Sequence, residues 1–297
     1  MTSGSPDWLM QARGERPVLR WSFSTDARLT DMRYARETGE VLAADESGGL
    51  YLLDRRGQVA ALTRTGHQFR FVAFADTGTA GAVIVDERQV AWLDRHLQFV
   101  WKRSLPDDAI GLAMDPYGTH VIIALASGHN VIYNTDKKKL LEFESLRPLR
   151  YLQWTAATTG LLAAADYGFF ARYTLQGDLD WSERLWSTVS DLAVTGDGEM
   201  VVLAGLAHGV QVYDAQGASQ GSFVLDGTAS LVAASYNRRR IAAATLERHI
   251  TLLDTEGTMR WLVQPPDDVI RLQIGPLGDD VVIGFADGRI TRLDTAS

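Results

Sequence analysis

The residues of this chain that could most readily do chemistry are two pairs of adjacent aspartates. Asp107 and Asp108 follow a Leu-Pro step, and Asp267 and Asp268 follow a Pro-Pro step further along the chain. Carboxylates gathered on one surface of a protein can steer a cationic partner or hold a divalent ion through their oxygens. Carboxylates are also common in turns, where they keep a protein soluble. The residue types leave both interpretations open.

Two basic clusters offer the opposite charge. They are Lys137, Lys138 and Lys139, and Arg238, Arg239 and Arg240. Such clusters can bind an acidic or phosphorylated partner, and they also occur as solvated turns. The chain has 29 basic and 37 acidic residues, a net charge of -8, so we do not expect nucleic acid as the partner.

Trp186 lies in the stretch ERLWSTVSD, which the pattern predicts to be a loop. Tryptophan on an exposed loop is favoured in binding hot spots. We therefore predict that Trp186, with Glu183 and Arg184 beside it, contacts a protein partner. The alternative is that its ring packs on Leu185 or on a neighbouring loop.

The N-terminal segment carries its own apolar residues. Residues 5–14 predict a short helix, with Ser5 as the N-cap, Pro6 at the first helical position and Gly14 as the stop. A helix of this length is marginal alone, and its apolar side chains need cover, either from the chain itself or from a second protein. These side chains are Trp8, Leu9 and Met10.

Several site types find no support in the sequence. The six histidines have no helical or short strand spacing typical of a metal site. The chain contains no cysteine, which excludes disulfides and thiolate ligands. No apolar run approaches the roughly 20 residues of a transmembrane helix, and no signal peptide is recognisable. We expect a cytoplasmic protein without a cofactor or a bound metal.

A 40-residue period organises the chain. One aligned position ends the third element of every copy, and it is occupied by Asp54, Asp94, Asn134, Thr174, Asp214, Asp254 and Asp294. Forty residues is the length of a four-stranded propeller blade. Each copy has an alternating first strand, a continuously apolar second strand and a third strand that ends at the aligned position, and every copy but the last has a fourth strand. In four copies a glycine follows three residues after the aligned position, which is typical of a tight turn. The pattern predicts an all-β chain of seven four-stranded antiparallel blades.

Strand direction alternates within each blade, so the loops after the second and fourth strands share one face. We call these loops the acidic face, because besides Glu183 and the two aspartate pairs they carry Asp26, Asp45, Glu46, Asp86, Glu87, Asp166, Asp226, Glu247 and Asp287. The turns after the first and third strands form the turn face, which carries both basic clusters.

The last copy lacks its fourth strand. Trp101, Trp181 and Trp261 share one position in the fourth strand at 80-residue spacing, and one further step back leads to Trp21. We therefore expect residues 17–24 to pair with the strand that ends at Leu293, closing a ring and covering an open edge. The predicted boundaries are an extension at 1–16, the outer strand of blade 7 at 17–24, and blades at 29–64, 69–104, 109–144, 149–184, 189–224, 229–264 and 269–294.

The repeat resembles the blades of WD40-like seven-bladed β-propellers. VSDLAVTGDGEMVVLAG and TGHQFRFVAFADTG are similar to the two inner strands of that family and the turn between them. The Trp-Asp pair of the family is Leu-Asp or Tyr-Asp here. LLDRRGQVAAL and LDTEGTMRW also resemble quinoprotein (PQQ-like) blades. The resemblance implies a rigid ring that presents loops.

Two functions are compatible with such a ring. The regular period, the short loops and the absence of a catalytic constellation favour a non-catalytic scaffold for protein–protein interaction, as a candidate subunit of a larger assembly. The alternative is a small-molecule or metal-dependent enzyme, similar to lactonases, with its site at the mouth of the central channel. Polar side chains converging in that channel would favour the enzyme.

Overall fold

The structure is a computed structural model that describes residues 6–157 and 160–295. The chain divides into two compact units. We call residues 25–186 the central unit, and residues 6–24 together with 187–295 the terminal unit. Nearly all regular structure is β-strand, as the sequence predicts, and no helix of the described residues is long and apolar enough to cross a membrane.

The terminal unit begins with three short elements. They are the helix α1 (Asp7–Met10) and the strands β1 (Arg13–Gly14) and β2 (Val18–Ser24). The helix is shorter than the sequence predicts, because Pro6 is the N-cap and the chain leaves the helix at Gln11. Gly14 lies in β1 instead of stopping the helix. The predicted N-cap Ser5 lies outside the described residues.

The central unit contains three antiparallel sheets of four strands and the start of a fourth. In each sheet the strands follow one another in chain order. The strands are β3 (Leu29–Tyr34), β4 (Val41–Asp45), β5 (Gly49–Leu53) and β6 (Val59–Arg64); β7 (Phe69–Phe74), β8 (Ala80–Val85), β9 (Gln89–Asp94) and β10 (Phe99–Ser104); β11 (Ala109–Met114), β12 (His120–Leu125), β13 (His129–Asn134) and β14 (Lys139–Glu144); and β15 (Tyr151–Trp154), β16 (Leu161–Ala165) and β17 (Tyr167–Tyr173).

The strand β18 (Leu179–Val194) has 16 residues and pairs with β17 through its first part and with the next strand through its second. The sequence predicts two strands here with a loop between them, and that prediction is wrong. The remaining strands belong to the terminal unit: β19 (Met200–Gly205), β20 (Gly209–Asp214) and β21 (Ser219–Phe223); β22 (Ala229–Ala234), β23 (Ile241–Thr245), β24 (Ile250–Leu253) and β25 (Met259–Val263); and β26 (Val269–Ile274), β27 (Asp280–Phe285) and β28 (Arg289–Asp294).

The hydrophobic pattern explains where the core lies. The second strands of the repeats are apolar on both faces, and β4, β8, β16, β23 and β27 are buried at every residue. Small residues at their fourth position, such as Ala44 and Ala164, are fully buried and allow close packing of neighbouring sheets. The outermost strands, such as β6, are mostly exposed.

The turn predicted after each third strand is confirmed. Asp54 accepts hydrogen bonds from the N–H groups of Arg56 at 2.8 Å and Gln58 at 2.9 Å. The same pair of bonds recurs at Asp94, Asn134, Thr174, Asp214 and Asp254. These side chains therefore stabilise the backbone of their own turns.

The N-terminal strand has the partner that the sequence predicts. β2 pairs antiparallel with β28, with Leu19 opposite Leu293 and Ser22 opposite Thr291. β1 adds a further strand, because Arg13 and Gly14 pair with Leu262 and Trp261 at the outer edge of β25. The sequence gives no sign of that fifth strand.

Candidate interaction surfaces

Trp186 is the most exposed large apolar residue described, with 98% of its surface accessible. It lies within β18 and not in a loop, so the strand's hydrogen bonds fix its backbone. The alternative in which the ring packs on Leu185 or another loop is wrong, because an indole packed in that way would be covered. Glu183 and Arg184 are exposed on the same strand.

One further exposed apolar residue of the central unit lies near Trp186. Tyr167 is 71% exposed and precedes Gly168, where any Cβ would clash with the carbonyl oxygen of Leu185. Tyr167 and Trp186 are thus each one residue from the same backbone contact. We call Tyr167, Glu183, Arg184 and Trp186 the Trp186 surface.

The first aspartate pair is held by its own backbone and by residues of two neighbouring loops. Arg88 donates to Asp108 at 2.5 Å and lies 3.9 Å from Asp107. The backbone N–H of Asp108 and the Ser127 side chain bond to the Asp107 carboxylate and hold its pKa below the ordinary value. The Asp107 carboxylate therefore stays charged at neutral pH, and the guanidinium of Arg88 lies close to both aspartates.

The second pair repeats this arrangement in the terminal unit. Asp267 accepts hydrogen bonds from the N–H groups of Asp268 at 2.7 Å and Asp287 at 3.1 Å. Arg248 lies 3.9 Å from Asp268. Arg88 and Arg248 occupy the same place in the repeat, which explains why the two pairs look alike.

Most other carboxylates of the acidic face also have a local partner. Glu247 accepts two hydrogen bonds from Thr228, and Asp45 is buried and bonded to Ser47, Gly49 and Tyr51. Ion pairs join Asp26 to Arg64, Glu46 to Arg28, Glu87 to Arg70, Asp166 to Arg150, Asp226 to Arg13 and Asp287 to Arg289, and a hydrogen bond joins Asp86 to His67. The loops therefore carry charges of both signs, which weakens the field expected of a uniformly acidic funnel.

The two basic clusters lie in tight turns, as predicted. Lys137 has a positive φ of 63° in the turn between β13 and β14, and Lys139 bonds to Glu142 at 2.6 Å. Arg238, φ 57°, bonds to Asp197 at 2.9 Å in the terminal unit. Lys138, Arg239 and Arg240 use their backbone N–H groups to close these turns.

The N-terminal candidates are covered by the chain itself. Leu9 is completely buried in a cluster with Trp261 and Phe285, and Trp8 packs edge-on against Phe285 at 6.3 Å between ring centroids. Leu9 is therefore unavailable to a partner, and of the two alternatives left open by the sequence, cover by the chain itself is the one that applies to it. Met10 is half exposed and remains accessible.

Histidines and carboxylates do not gather into a metal site in the described part of the chain, where no three of them lie close enough to hold an ion. The histidines serve local roles instead. His67 bonds to Asp86 at 2.6 Å, and His249 bonds to the carbonyl oxygen of Asp226 at 2.5 Å.

Comparison with known proteins places this geometry in a known fold. No protein-family model matches the chain, and no curated protein matches its sequence. The structure is similar to the crystal structure of the β-propeller domain of Cps50 (Swd1) from Myceliophteria thermophila, with a TM-score of 0.82 over 94% of this chain and 100% of that one. The chain has a β-propeller fold. Because the identity with that propeller is 14%, the likeness concerns architecture alone.

Proposed function

We propose that this propeller is a non-catalytic scaffold for protein–protein interaction that works as a subunit of a larger assembly, located in the cytoplasm. We also infer seven blades, at 29–64, 69–104, 109–144, 149–184, 189–224, 229–264 and 269–294, with residues 17–24 as the outer strand of the seventh. The pairing of β2 with β28 and the 40-residue period support this arrangement.

One observation carries the proposal, namely the exposure of Trp186 on a regular strand. An indole left in water forgoes the burial of about 200 Å² of largely apolar surface, worth several kcal/mol. Four other tryptophans share one aligned position of the repeat, and all four are buried or half-buried: Trp21, Trp101, Trp181 and Trp261. Trp186 therefore has no packing role in the repeat, and a partner would recover the energy.

The composition of the Trp186 surface fits this role. Tryptophan, tyrosine and arginine are enriched at protein interfaces and among hot spots. The strand holds the backbone of Trp186 in place, so little backbone entropy is lost when a partner covers the ring. The charges of Asp107, Asp108, Asp267 and Asp268 would affect the association rate more than the affinity.

The test is a comparison of Trp186→Ala with Val224→Ala. Val224 is 91% exposed in the terminal unit and provides a matched loss of exposed apolar surface. Partners are purified from the native source with each variant as bait, and the affinity of the main partner is then measured. Trp186→Ala should weaken binding at least about 30-fold, the usual hot-spot threshold, without changing the melting temperature. Equal binding by both variants would refute the proposed role of Trp186.

A further inference from the structure

The central unit contains an apolar groove that the scaffold surface above does not include. The groove has a volume of about 380 Å³ and lies at the turn face, between β14 and the turn that follows β17. Its apolar lining comes from Ile132, Leu140, Leu141, Trp154 and Leu175. A volume near the lower end of ligand-pocket sizes, about 300 to 1,000 Å³, suits one large side chain.

The preceding repeat shows which side chain fills such a space. Trp101 stands 40 residues before Leu141, at the same position of the fourth strand. Its indole N–H donates to the carbonyl oxygen of Thr135 at 2.8 Å, and its ring lies 5.6 Å from that of Trp92. Thr135 corresponds to Leu175 and Trp92 to Ile132, both of which line the groove. The groove is therefore the place that an indole occupies one repeat earlier.

The sequence supports this equivalence. The aligned position holds tryptophan in four copies of the repeat: Trp21, Trp101, Trp181 and Trp261. Leu141 is smaller than an indole and lacks the N–H group. Its substitution for tryptophan leaves apolar walls with no ring between them and the carbonyl of Leu175 without the donor that Thr135 receives.

We propose that the groove binds a tryptophan side chain presented by an extended segment of another protein. The indole N–H would donate to the carbonyl oxygen of Leu175, as that of Trp101 does to Thr135. Trp154 directs its own N–H inward to Ala113 at 3.4 Å, so its ring serves as an apolar wall. His120 and Gln176 are the polar residues of the lining, and the amide of Gln176 suits a hydrogen bond to the backbone of the bound segment.

The charged residues beside the groove indicate which residue types flank the tryptophan of the bound segment. Lys137 and Lys138 are exposed in the turn that leads into β14, with Asp136 beside them, whereas Lys139 is paired with Glu142. Asp178 lies in the turn across the groove. The β14 side is therefore the more basic one, and an acidic residue next to the bound tryptophan would face it.

The backbone of Lys137 adds to this argument. Its left-handed conformation is taken by glycine in four other copies, and such a conformation costs a non-glycine residue about 1 kcal/mol. Leu97 shares the position and gains burial, being 1% exposed. Lys137 is exposed, so no burial of its side chain offsets the cost of the left-handed conformation. What lysine contributes at this position is therefore its charge.

The experiment uses the full chain and three labelled peptides in fluorescence anisotropy. In the first peptide two glutamates flank each side of a central tryptophan; in the second the tryptophan is alanine; in the third the flanks are lysines. We expect the first to bind at least about tenfold more tightly than either of the others. Salt should reduce its advantage over the lysine peptide.

Variants locate the site. Leu141→Trp restores the internal indole and should weaken binding of the first peptide at least about tenfold while the melting temperature stays the same or rises. Leu141→Phe fills less of the groove and should weaken it less. Val100→Trp, at an exposed position of β10, is the control for an added indole and should leave binding unchanged.

Three results would overturn the proposal. One is equal binding of the tryptophan and alanine peptides, and another is unchanged binding to Leu141→Trp. The third is binding of N-acetyltryptophanamide as tight as that of the peptide, which would indicate a small aromatic ligand instead of a protein segment. Trp186→Ala should leave peptide binding intact, so failure at the groove and failure at the Trp186 surface are distinguishable.

Discussion

The buried carboxylate of Asp31 accepts a hydrogen bond from the backbone N–H of Val72 at 2.8 Å, which joins the first strands of two neighbouring blades. Asp191 does the same for Val232 at 3.0 Å in the terminal unit. Each pair is separated by 41 residues, one repeat plus one. Asp31 also lies 3.2 Å from the guanidinium of Arg33. These aspartates tie adjacent blades together and are fully engaged in structure.

We expect Asp31→Ala to destabilise the protein by about 3 kcal/mol, because it leaves the Val72 N–H without its acceptor and Arg33 without its ion pair. Asp54→Ala removes a carboxylate that also accepts two N–H bonds, but in an exposed turn, and should cost about 1 kcal/mol. The free energy of unfolding in urea measures both. Similar losses of unfolding free energy for the two variants would mean that the Asp31–Val72 hydrogen bond stabilises the protein no more than a hydrogen bond in an exposed turn.

The N-terminal segment stabilises the terminal unit. Leu9 is fully buried against Trp261, so Leu9→Ala should cost about 3 kcal/mol through lost burial and a residual cavity. Met10→Ala, at a half-exposed neighbour, should cost less than about 1 kcal/mol. Deletion of residues 1–16 should lower the melting temperature further, since it also removes β1 and the ion pair of Glu15 with Arg260. A melting temperature unchanged by that deletion would contradict the packing described.

Periodicity predicts the parts of this fold that are repeated. A side chain that can accept hydrogen bonds recurs every 40 residues from Asp54 onward, because it stabilises the turn after the third strand. Trp21 aligns with Trp261 because β2 has the same place in its sheet as β25. What the repeat does not contain could not be predicted in this way. The docking of Leu9 and the pairing of Gly14 with Trp261 are tertiary contacts of a segment that occurs once.

The candidate sites can be divided in the same way, into features that the repeat predicts and contacts that it does not. Trp186 can be recognised from the sequence because it departs from the repeat. The sequence does not show that β18 continues through it. The repeat indicates which loops carry the carboxylates, but their partners, such as Arg88 for Asp108, come from neighbouring loops that the sequence does not bring together. The groove beside Leu141 had a signal that could have been used, since leucine replaces tryptophan at an aligned position.

Asp45 and Tyr51 should make stability depend on pH at both extremes. Burial raises the pKa of Asp45, but hydrogen bonds from Gly49, Ser47 and Tyr51 outweigh this and hold it below the ordinary value. Burial also raises the pKa of the Tyr51 phenol above its ordinary value of about 10. The stabilisation from Asp45 is therefore complete above about pH 4 and is lost as the pH falls through its folded pKa. The stabilisation from Tyr51 is complete below about pH 10 and is lost as the pH rises through its folded pKa.

Tyr51→Phe should consequently flatten both limbs of the stability profile. It removes the phenol that resists ionisation, and it removes one of the donors that lower the pKa of Asp45. Unfolding free energies measured between pH 3 and pH 11 test this, with Tyr167→Phe, at an exposed ring, as the control. An alkaline limb that stays equally steep without Tyr51 would assign the effect to another group.

The pairing of the two ends of the propeller can be tested by a cross-link, because the chain has no cysteine of its own. The hydroxyls of Ser22 on β2 and Thr291 on β28 lie 3.2 Å apart on opposed residues. Ser22→Cys with Thr291→Cys should form a disulfide on mild oxidation, detected by mass spectrometry and by faster migration on a non-reducing gel. The link closes nearly the whole chain into a loop, and unfolded-state entropy predicts stabilisation of about 5 to 6 kcal/mol if the geometry is unstrained. Ser24→Cys with Thr291→Cys places the thiols two residues out of register, and this pair should stay reduced under the same conditions. Oxidation of both pairs to the same extent would show that β2 is not held in the register described, and with it the closure of the seventh blade would fail.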